Sequence, residues 1–397
     1  MGVLAINNVS RKVNEILEAS NFTVENKKDL DETDLSTLSE KYSALVLRSG
    51  KIHSLSFSGN KLKAIGRAGA GVNNIPVEKC TENGVVVFNS PGANANAVKE
   101  LVICSLFLAS RKISGGISWL EQQTQGEDIA KRVEENKKQF KGCEIIGKKL
   151  GVIGLGAIGL MVANDASYLG MSVIGYDPYF SPERENELAV GVKRETDLNK
   201  LLSEADYISV HVPLVDSTRG LINKEKFSLM KKGVKLLNFS RVEIVDAEDL
   251  KKAIAREIIS TYITDFPTSD IFGLTNVICV PHLGASTSEA EENCAVMVSN
   301  QLNDFLKNGN IVNSVNFPKC SLQKTNGNRL TIISKNEDSF EPITNVLAEC
   351  GVEIIEVLSK SNSSVAYTIV DVKEPISKEV IEKINALEGV ISSRVLN

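Results

Sequence analysis

The sequence lacks any apolar run long enough to cross a membrane, although 42% of its residues are hydrophobic and 24% are charged. A membrane-spanning helix needs about 20 consecutive, mostly apolar residues, so we expect no transmembrane segment and no membrane partner. The N-terminal stretch MGVLAINNVSRKVNE has neither the basic start nor the apolar length of a secretory signal. The sequence therefore predicts a soluble, cytoplasmic protein.

Closely spaced metal ligands and dense basic runs are also missing. The seven cysteines form no C-x-x-C pair, and the three histidines, His53, His211 and His282, are far apart in the chain. We therefore predict reduced thiols and no bound metal. The net charge of -5, without a basic cluster, argues against nucleic acid as a partner and leaves room for a local positive site for an anionic metabolite.

The order of apolar and helical segments predicts an α/β protein with three domains. The 397 residues exceed what a single hydrophobic core usually holds. Apolar strands alternate with helical stretches, which predicts two Rossmann-like, doubly wound domains with parallel sheets. The segment from about 327 has the order βαββαβ. The predicted domains are 1–97 with a returning segment 291–318, then 98–290, and finally 327–397.

A nucleotide-binding fingerprint follows the strand KKLGVI. The fingerprint is the segment Gly154–Gly159, with glycine at its first, third and sixth positions. The first glycine makes a tight turn, the second lets the backbone approach a pyrophosphate, and the third lets the helix pack on the strand. Asp177 ends the next strand, where a carboxylate accepts hydrogen bonds from both ribose hydroxyls and repels a 2′-phosphate. We therefore predict NAD as the cofactor, with a flavin or another nucleotide as the alternative. The predicted contacts in the turn are Gly154, Gly156, Ala157, Ile158 and Gly159.

Three segments at predicted strand ends, NFSRVEIVD, TDFPTSD and VPHLGAST, supply an arginine, two acids and a histidine. Further motifs along the chain are LRSG, GRAGAGVNNI, NSPGANANAVKEL, GVIGLGAIG, YDP, HVPL and PHLGASTSEA. With these motifs, nearly the whole chain resembles the D-isomer-specific 2-hydroxyacid dehydrogenases. The resemblance is closest to the phosphoglycerate dehydrogenases of serine biosynthesis. It implies that His282 is the acid/base, that Arg241 binds the substrate carboxylate and keto oxygen, and that Asp270 orients His282.

The resemblance also implies further contacts. It places cofactor contacts at Val212, Pro213, Phe239, Asp265 and Gly284. It places substrate contacts at Arg48, Ser49, Gly71 and Asn73.

The chemistry of these side chains supports the assignment. Oxidation of a secondary alcohol removes the hydroxyl proton as hydride leaves the carbon, and a neutral imidazole takes that proton near neutral pH. A carboxylate on the far ring nitrogen fixes the tautomer, and a guanidinium grips a carboxylate bidentately. We interpret His211 as structural.

Two positions depart from the family pattern. The family usually has glutamate where this chain has Asp270, one methylene shorter. We therefore expect the contact with His282 to be longer, to depend on a loop shift or to be made by another acid. Val242 and Glu243 replace a small pair after Arg241, which brings a negative charge close to an anionic substrate. Reduced activity is one expected consequence.

The resemblance implies oxidation of 3-phospho-D-glycerate by NAD to 3-phosphohydroxypyruvate, the first step of serine biosynthesis. A glycerate, glyoxylate or hydroxypyruvate reductase is the alternative within the enzyme class. An NAD-sensing binding protein of the same fold is the alternative outside it. Family members associate as dimers or tetramers, so we expect a homo-oligomer.

The C-terminal segment resembles an ACT regulatory domain. Ser334 and Asn336 stand where serine-inhibited relatives carry a His-x-Asn pair, Glu337 and Asp338 follow in place of Pro-Gly, and Glu353 stands where a second asparagine is expected. Because the added carboxylates repel the carboxylate of an amino acid, we predict weak or no inhibition by L-serine.

Overall fold

A computed structural model describes residues 1–124, 128–325, 327–335 and 339–396. The predicted positions Asn336, Glu337 and Asp338 lie outside the described residues. Residues 1–94 and 288–397 form one compact unit, and residues 95–287 form the other.

The first unit begins with a five-stranded parallel sheet of order β2-β1-β3-β4-β5. The four residues of β3 are all buried, as expected for strands covered on both faces. Helix α2 starts at a capping box in which Asp31 and Asp34 each accept the other's backbone N–H. The elements are β1 (Gly2–Ile6), α1 (Lys12–Ala19), β2 (Thr23–Lys27), α2 (Glu32–Lys41), β3 (Ala44–Leu47), β4 (Ala64–Arg67), α3 (Val77–Glu82) and β5 (Val86–Phe88).

The second unit contains a seven-stranded parallel sheet of order β12-β11-β10-β9-β6-β7-β8. In such an open sheet, ligands bind beyond the carboxyl ends of the strands, where the strand order reverses next to β6. The helices are α4 (Ala95–Arg111), α5 (Ile113–Glu121), α6 (Ile129–Asn136), α7 (Ala157–Tyr168), α8 (Leu198–Glu204), α9 (Lys224–Leu229) and α10 (Ala247–Ala255). The strands are β6 (Lys149–Ile153), β7 (Ser172–Tyr176), β8 (Lys193–Arg194), β9 (Tyr207–Val210), β10 (Val234–Asn238), β11 (Ile259–Thr264) and β12 (Val277–Cys279).

The chain returns to the first unit through α11 (Ser288–Asn308) and ends in a βαββαβ fold. Its antiparallel sheet has the order β14-β15-β13-β16. The elements are β13 (Asn328–Ser334), α12 (Phe340–Glu349), β14 (Ile354–Ser361), β15 (Ala366–Val372), α13 (Lys378–Asn385) and β16 (Val390–Leu396). The two helices cover one face of this sheet, around Leu330 and Ile332. On the other face, Tyr367 shares a hydrophobic cluster with Phe88 and Phe305.

A buried ion pair fastens the βαββαβ fold to the rest of the first unit. Arg329 on β13 and Asp371 on β15 are both fully buried and form two hydrogen bonds, of 2.6 and 2.8 Å. Arg329 Nη1 also donates to the carbonyl oxygen of Asn308, at the end of α11, and to that of Leu322. Tyr367 donates to the carbonyl oxygen of Gly309 at 2.6 Å. The C-terminal sheet is therefore part of the same core as the N-terminal sheet.

The structure confirms the predicted α/β class with its parallel, Rossmann-like sheets. All seven cysteines are free thiols in this structure. Among the described residues, no group of three or more potential ligands is placed to hold a metal ion. In the same residues, no single helix is long and apolar enough to span a bilayer, and α4 and α5 reach that length only together, across a 72° bend.

Candidate active site

The glycine-rich turn joins β6 to α7 in the second unit. Gly154 has a φ of +93°, and a Cβ there would lie 2.6 Å from the carbonyl oxygen of His211. A Cβ on Gly159 would lie 1.9 Å from the carbonyl oxygen of Gly154, so glycine lets the helix start this close to the strand. Gly156 precedes α7, and the space beside its Cα is open. The helix N-terminus therefore has the form that binds a pyrophosphate.

Asp177 lies beside this turn, at the end of β7. Its two carboxylate oxygens accept hydrogen bonds from the N–H groups of Leu155 and Tyr179, both at 2.9 Å. These bonds hold the carboxylate in place and leave lone pairs for ribose hydroxyls. Arg184, an arginine of the kind that accommodates a 2′-phosphate, is bound by both oxygens of Glu187, at 2.7 to 3.1 Å. The arrangement therefore favours the free hydroxyls of NAD.

His211 packs against the same turn. Its Nε2 lies 2.8 Å from Ser209 Oγ, and its buried Nδ1 has no partner among the described residues. Burial lowers the pKa of His211 to about 3, so its imidazole is neutral. Val212 borders Gly154, and Pro213 is exposed at the same edge. A neutral histidine of this kind suits packing rather than proton transfer.

Arg241 follows β10, where the chain turns sharply. Asn238 at the end of this strand donates to the carbonyl oxygen of Arg241 at 2.9 Å and accepts from the N–H of Ser240 at 3.1 Å. Ser240 Oγ donates to the carbonyl oxygen of Val210 on the neighbouring strand. Phe239 is buried in the core below. These bonds hold the half-buried Arg241 at the carboxyl edge of the sheet.

Phe266 lies between the two residues that are predicted to carry the chemistry. Its ring centroid is 4.5 Å from that of His282, and the two ring planes are tilted by 53°. The guanidinium carbon of Arg241 lies 5.7 Å from the same ring, within the range of a cation–π contact. The structure therefore brings Arg241 and the exposed His282 together on one aromatic ring.

Asp265 is the buried acid of this site and is only 2% exposed. Burial raises the pKa of its carboxyl group, whereas the charges of His282 and Arg241 and the backbone N–H of Gly284 oppose that rise. Its Oδ1 has no hydrogen-bond partner among the described residues. The charge of Asp265 thus acts on both predicted catalytic side chains, and one of its oxygens is available to a ligand.

Asp270 does not contact His282 in this structure. Its side chain is 64% exposed, and its Oδ1 lies 3.9 Å from Lys251 Nζ on α10. Both Asp270 and His282 are described, and no hydrogen bond or ion pair joins them. The cause is local, because the chain turns at residues 269–270 and directs the carboxylate toward α10. The predicted pairing of these two residues is therefore absent from the structure, and the carboxyl group whose pKa burial raises and the charge of His282 lowers is that of Asp265.

Two arginines lie at the carboxyl ends of β3 and β4 in the first unit. Arg67 Nε donates to the carbonyl oxygen of Arg48 at 3.1 Å, and the guanidinium of Arg67 fills the space beside Gly69. Arg48 forms an ion pair with Glu291 on the first turn of α11. This unit therefore gathers two cations and one acid at the edge where the substrate contacts are predicted.

The other predicted substrate contacts lie on loops at this edge. Ser49 and Asn73 are exposed, and Gly71 is half-buried. The neighbouring Asn74 holds the loops together, since its Nδ2 donates to the carbonyl oxygen of Gly50 at 2.7 Å.

Comparison with known proteins supports the interpretation of both units. Residues 104–284 match the family described as D-isomer specific 2-hydroxyacid dehydrogenase, NAD binding domain. The chain is 32% identical to a D-3-phosphoglycerate dehydrogenase of Escherichia coli K12, over 99% of this chain and 97% of that protein. The chain belongs to the D-isomer specific 2-hydroxyacid dehydrogenase family.

Two further family members are similar to this chain. It is 39% identical to a D-3-phosphoglycerate dehydrogenase of Methanocaldococcus jannaschii over 70% of this chain but 53% of that protein, so it spans about half the length of that relative. A crystal structure of NAD+-bound 3-phosphoglycerate dehydrogenase in Entamoeba histolytica matches with a TM-score of 0.64 and 29% identity. That match covers 80% of this chain and 98% of the other.

The matched family domain confirms the prediction of NAD as the cofactor. The residues present also fit the cofactor on structural grounds. The Gly154–Gly159 turn offers a helix N-terminus beside open space, Asp177 offers ribose acceptors, and the free Oδ1 of Asp265 offers a further acceptor.

Two side chains of this family member, those of Phe266 and Arg67, are not among the site residues predicted from the sequence. Phe266 directly follows the acid that ends β11, in TDFPTSD, and an aromatic residue at a strand end was a usable signal. Arg67 ends β4 inside GRAGAGVNNI, where the glycines that follow leave room for its guanidinium.

Proposed function

We propose that this chain is an NAD-dependent dehydrogenase that oxidises 3-phospho-D-glycerate to 3-phosphohydroxypyruvate, the first step of serine biosynthesis. The observation that carries the proposal is the meeting of Arg241 and His282 on the ring of Phe266, at the sheet edge that holds the nucleotide turn. The choice of substrate is supported by similarity over 99% of the chain to a D-3-phosphoglycerate dehydrogenase.

In the proposed mechanism each side chain has a distinct task. Arg241 binds the substrate carboxylate bidentately and so fixes the carbon that is oxidised. A ring nitrogen of neutral His282 takes the hydroxyl proton, and the negative charge of Asp265 stabilises the imidazolium that forms. Phe266 limits the movement of both side chains. When bound, NAD supplies the hydride acceptor.

Arg48 and Arg67 are proposed to supply positive charge for the anionic substrate, with Ser49, Gly71 and Asn73 assigned by resemblance. Arginine suits this task because its planar, permanently charged group matches the geometry of carboxylates and phosphates.

We also propose that the chain forms a homo-oligomer, dimer or tetramer, through its second unit. Helix α5 buries no side chain, and Ile113, Ile117 and Leu120 are exposed on one face of it, at i, i+4 and i+7. Phe107 on α4 is also exposed. Exposed apolar patches of this kind are typical of protein interfaces. Analytical ultracentrifugation of the wild type and of Ile117→Lys tests this proposal.

Steady-state kinetics test the proposed reaction. The panel is 3-phospho-D-glycerate, D-glycerate, glyoxylate and hydroxypyruvate, each assayed with the oxidised or reduced forms of NAD and NADP. We expect the highest kcat/KM for 3-phospho-D-glycerate with NAD. A higher value for glyoxylate or hydroxypyruvate would identify a reductase instead. NAD binding without any turnover would support an NAD-sensing protein.

A further inference from the structure

Glu291 forms an ion pair with Arg48, the arginine of the first unit that is predicted to bind substrate. Its Oε1 pairs with Nη1 of Arg48, and the two side chains are 38% and 30% exposed. One turn further along α11, burial raises the pKa of the Cys294 thiol, and the charges of Arg67 and Arg48 oppose this rise. Both guanidinium groups and the Glu291 carboxylate therefore belong to one cluster in the first unit.

The backbone at Arg48 is held by other contacts. Its carbonyl oxygen accepts from Arg67 Nε at 3.1 Å and from Asn74 Nδ2 at 3.4 Å. Gly50, two residues after Arg48 in the same loop, donates its N–H to Asn7 Oδ1 at 2.8 Å. The loop therefore has anchors on both sides of Ser49 that do not involve Glu291. This leaves the negative charge of Glu291, rather than a structural role, as its main effect on Arg48.

We propose that Glu291 is a specificity-determining residue that occupies Arg48 until a substrate anion displaces it. The inference rests on the proposed function, because it takes Arg48 as a substrate contact. A carboxylate on the arginine lowers the positive potential that attracts the substrate, and it must be displaced before the substrate binds. Every anion that binds Arg48 must first displace the Glu291 carboxylate. Removing the charge of Glu291 should therefore increase the affinity of the more highly charged anion most.

The test compares Glu291→Gln with Glu292→Gln, which makes the same charge change at an exposed position one residue along the helix. We expect Glu291→Gln to lower the KM for 3-phospho-D-glycerate by about two- to fivefold, which is about 0.4–1 kcal/mol at 1.4 kcal/mol per tenfold. The kcat should stay the same, and the KM for D-glycerate, which lacks the phosphate, should fall less. Glu292→Gln should match the wild type.

An unchanged or raised KM in Glu291→Gln, relative to Glu292→Gln, would overturn the inference. A raised KM would mean that Glu291 supports Arg48 in its binding position. Failure of the proposed function is distinguishable, because the wild type would then not oxidise 3-phospho-D-glycerate. In that event, calorimetric binding of inorganic phosphate to the wild type and to Glu291→Gln tests the inference alone, and equal affinities would refute it.

Discussion

At the residue scale, Phe266 explains how two side chains from different loops keep a common position. Arg241 follows β10 and His282 follows β12, so no local hydrogen bond fixes one against the other. The aromatic ring after β11 fills the space between them and offers an apolar surface to one and a π-face to the other. Positioning by a ring uses no polar atom of either side chain. Arg241 Nη1 also donates to the carbonyl oxygen of Ser240 at 2.6 Å, which leaves its other N–H groups for the substrate.

Replacing Phe266 by leucine keeps an apolar side chain but removes the ring. We expect kcat to fall by about ten- to a hundredfold, because small displacements of catalytic groups are costly, while NAD binding stays close to that of the wild type. Phe266→Tyr should retain most of the activity. The matched control is Phe272→Leu, which removes an exposed phenyl group from the same loop. Equal kcat values for the two leucine variants would contradict a positioning role.

The two candidate acids give different predictions for the pH profile. Asp265→Asn removes the charge that acts on His282, so the limb of the kcat/KM profile that depends on the imidazole should move to lower pH. Asp270→Asn, at an exposed carboxylate beside Lys251, should leave that limb in place. Steady-state rates between about pH 5 and pH 9, on either side of the ordinary histidine pKa, distinguish them. The opposite pattern would restore the role first predicted for Asp270.

The difference between these acids shows what the sequence can predict about the site. The glycine turn and Asp177 belong to one continuous strand–helix–strand unit, so their geometry follows from β6, α7 and β7 alone. Which acid acts on His282 depends on the path of the loop after β11, which has no periodic pattern. The aromatic ring between Arg241 and His282 is a contact among three separate strand ends, and such contacts depend on tertiary structure.

At the element scale, the buried pair of Arg329 and Asp371 holds β13 and β15 against the end of α11. Arg329→Leu leaves the carboxylate of Asp371 buried without its partner. We expect the free energy of unfolding to fall by about 3–5 kcal/mol, as measured by chemical denaturation. Lys373→Met breaks the exposed pair with Glu353 and should change stability little. Equal effects of the two variants would mean that the buried pair contributes no more to the free energy of unfolding than the exposed pair.

This pair also predicts how stability depends on pH. Burial raises the pKa of Asp371, but the hydrogen bonds from Arg329 and Thr325 and the charge of Arg329 together outweigh it, so the net change is a lowered pKa. Its contribution is therefore present above the unfolded pKa, near about pH 4, and is lost as the pH falls through the folded value. The loss of unfolding free energy in Arg329→Leu, relative to the wild type, should become smaller in acid, because protonation of Asp371 removes the unpaired charge. A deficit that stays constant from about pH 7 to about pH 3 would contradict this account.

The order of the elements was predictable, but the surroundings of the C-terminal sheet were only partly so. Alternating strands and helices indicated the parallel sheets, and the βαββαβ order predicted for the last segment is the order found in the structure. The seven residues of β15, AYTIVDV, are all buried. A nearly continuous apolar strand is expected only when both faces of a sheet are covered. The strand thus carried a signal for a second covered face, but its partner, around Phe88 and Phe305, is distant in sequence.

At the scale of the whole molecule, the predicted resemblance of the C-terminal fold to a regulatory domain leads to a test with L-serine. Ser334 is buried, and Glu353 is paired with Lys373 at 3.1 Å. We expect L-serine to inhibit weakly or not at all, because Glu353 puts a carboxylate where serine-inhibited relatives are expected to carry an asparagine. Dose-response kinetics on the full chain measure this. Micromolar inhibition would contradict the prediction.

A truncated chain that ends before β13 is not a valid control for such a measurement. Removing the C-terminal sheet would expose the cluster around Phe88 and Phe305 and leave α11 without its contacts to Arg329. Single substitutions such as Glu353→Asn, assayed in the full chain, test for inhibition by L-serine without opening the core.

The shared core of the first unit also sets an order of events during synthesis. Residues 95–287 are continuous, so the second unit can fold as soon as they have left the ribosome. Residues 1–94 emerge earlier but lack the part of their core that α11 and the C-terminal sheet supply. At about 5–20 residues per second, they wait on the order of 15–60 s for those partners. During this interval the nascent N-terminal sheet exposes apolar surface of the kind that promotes aggregation and that chaperones cover.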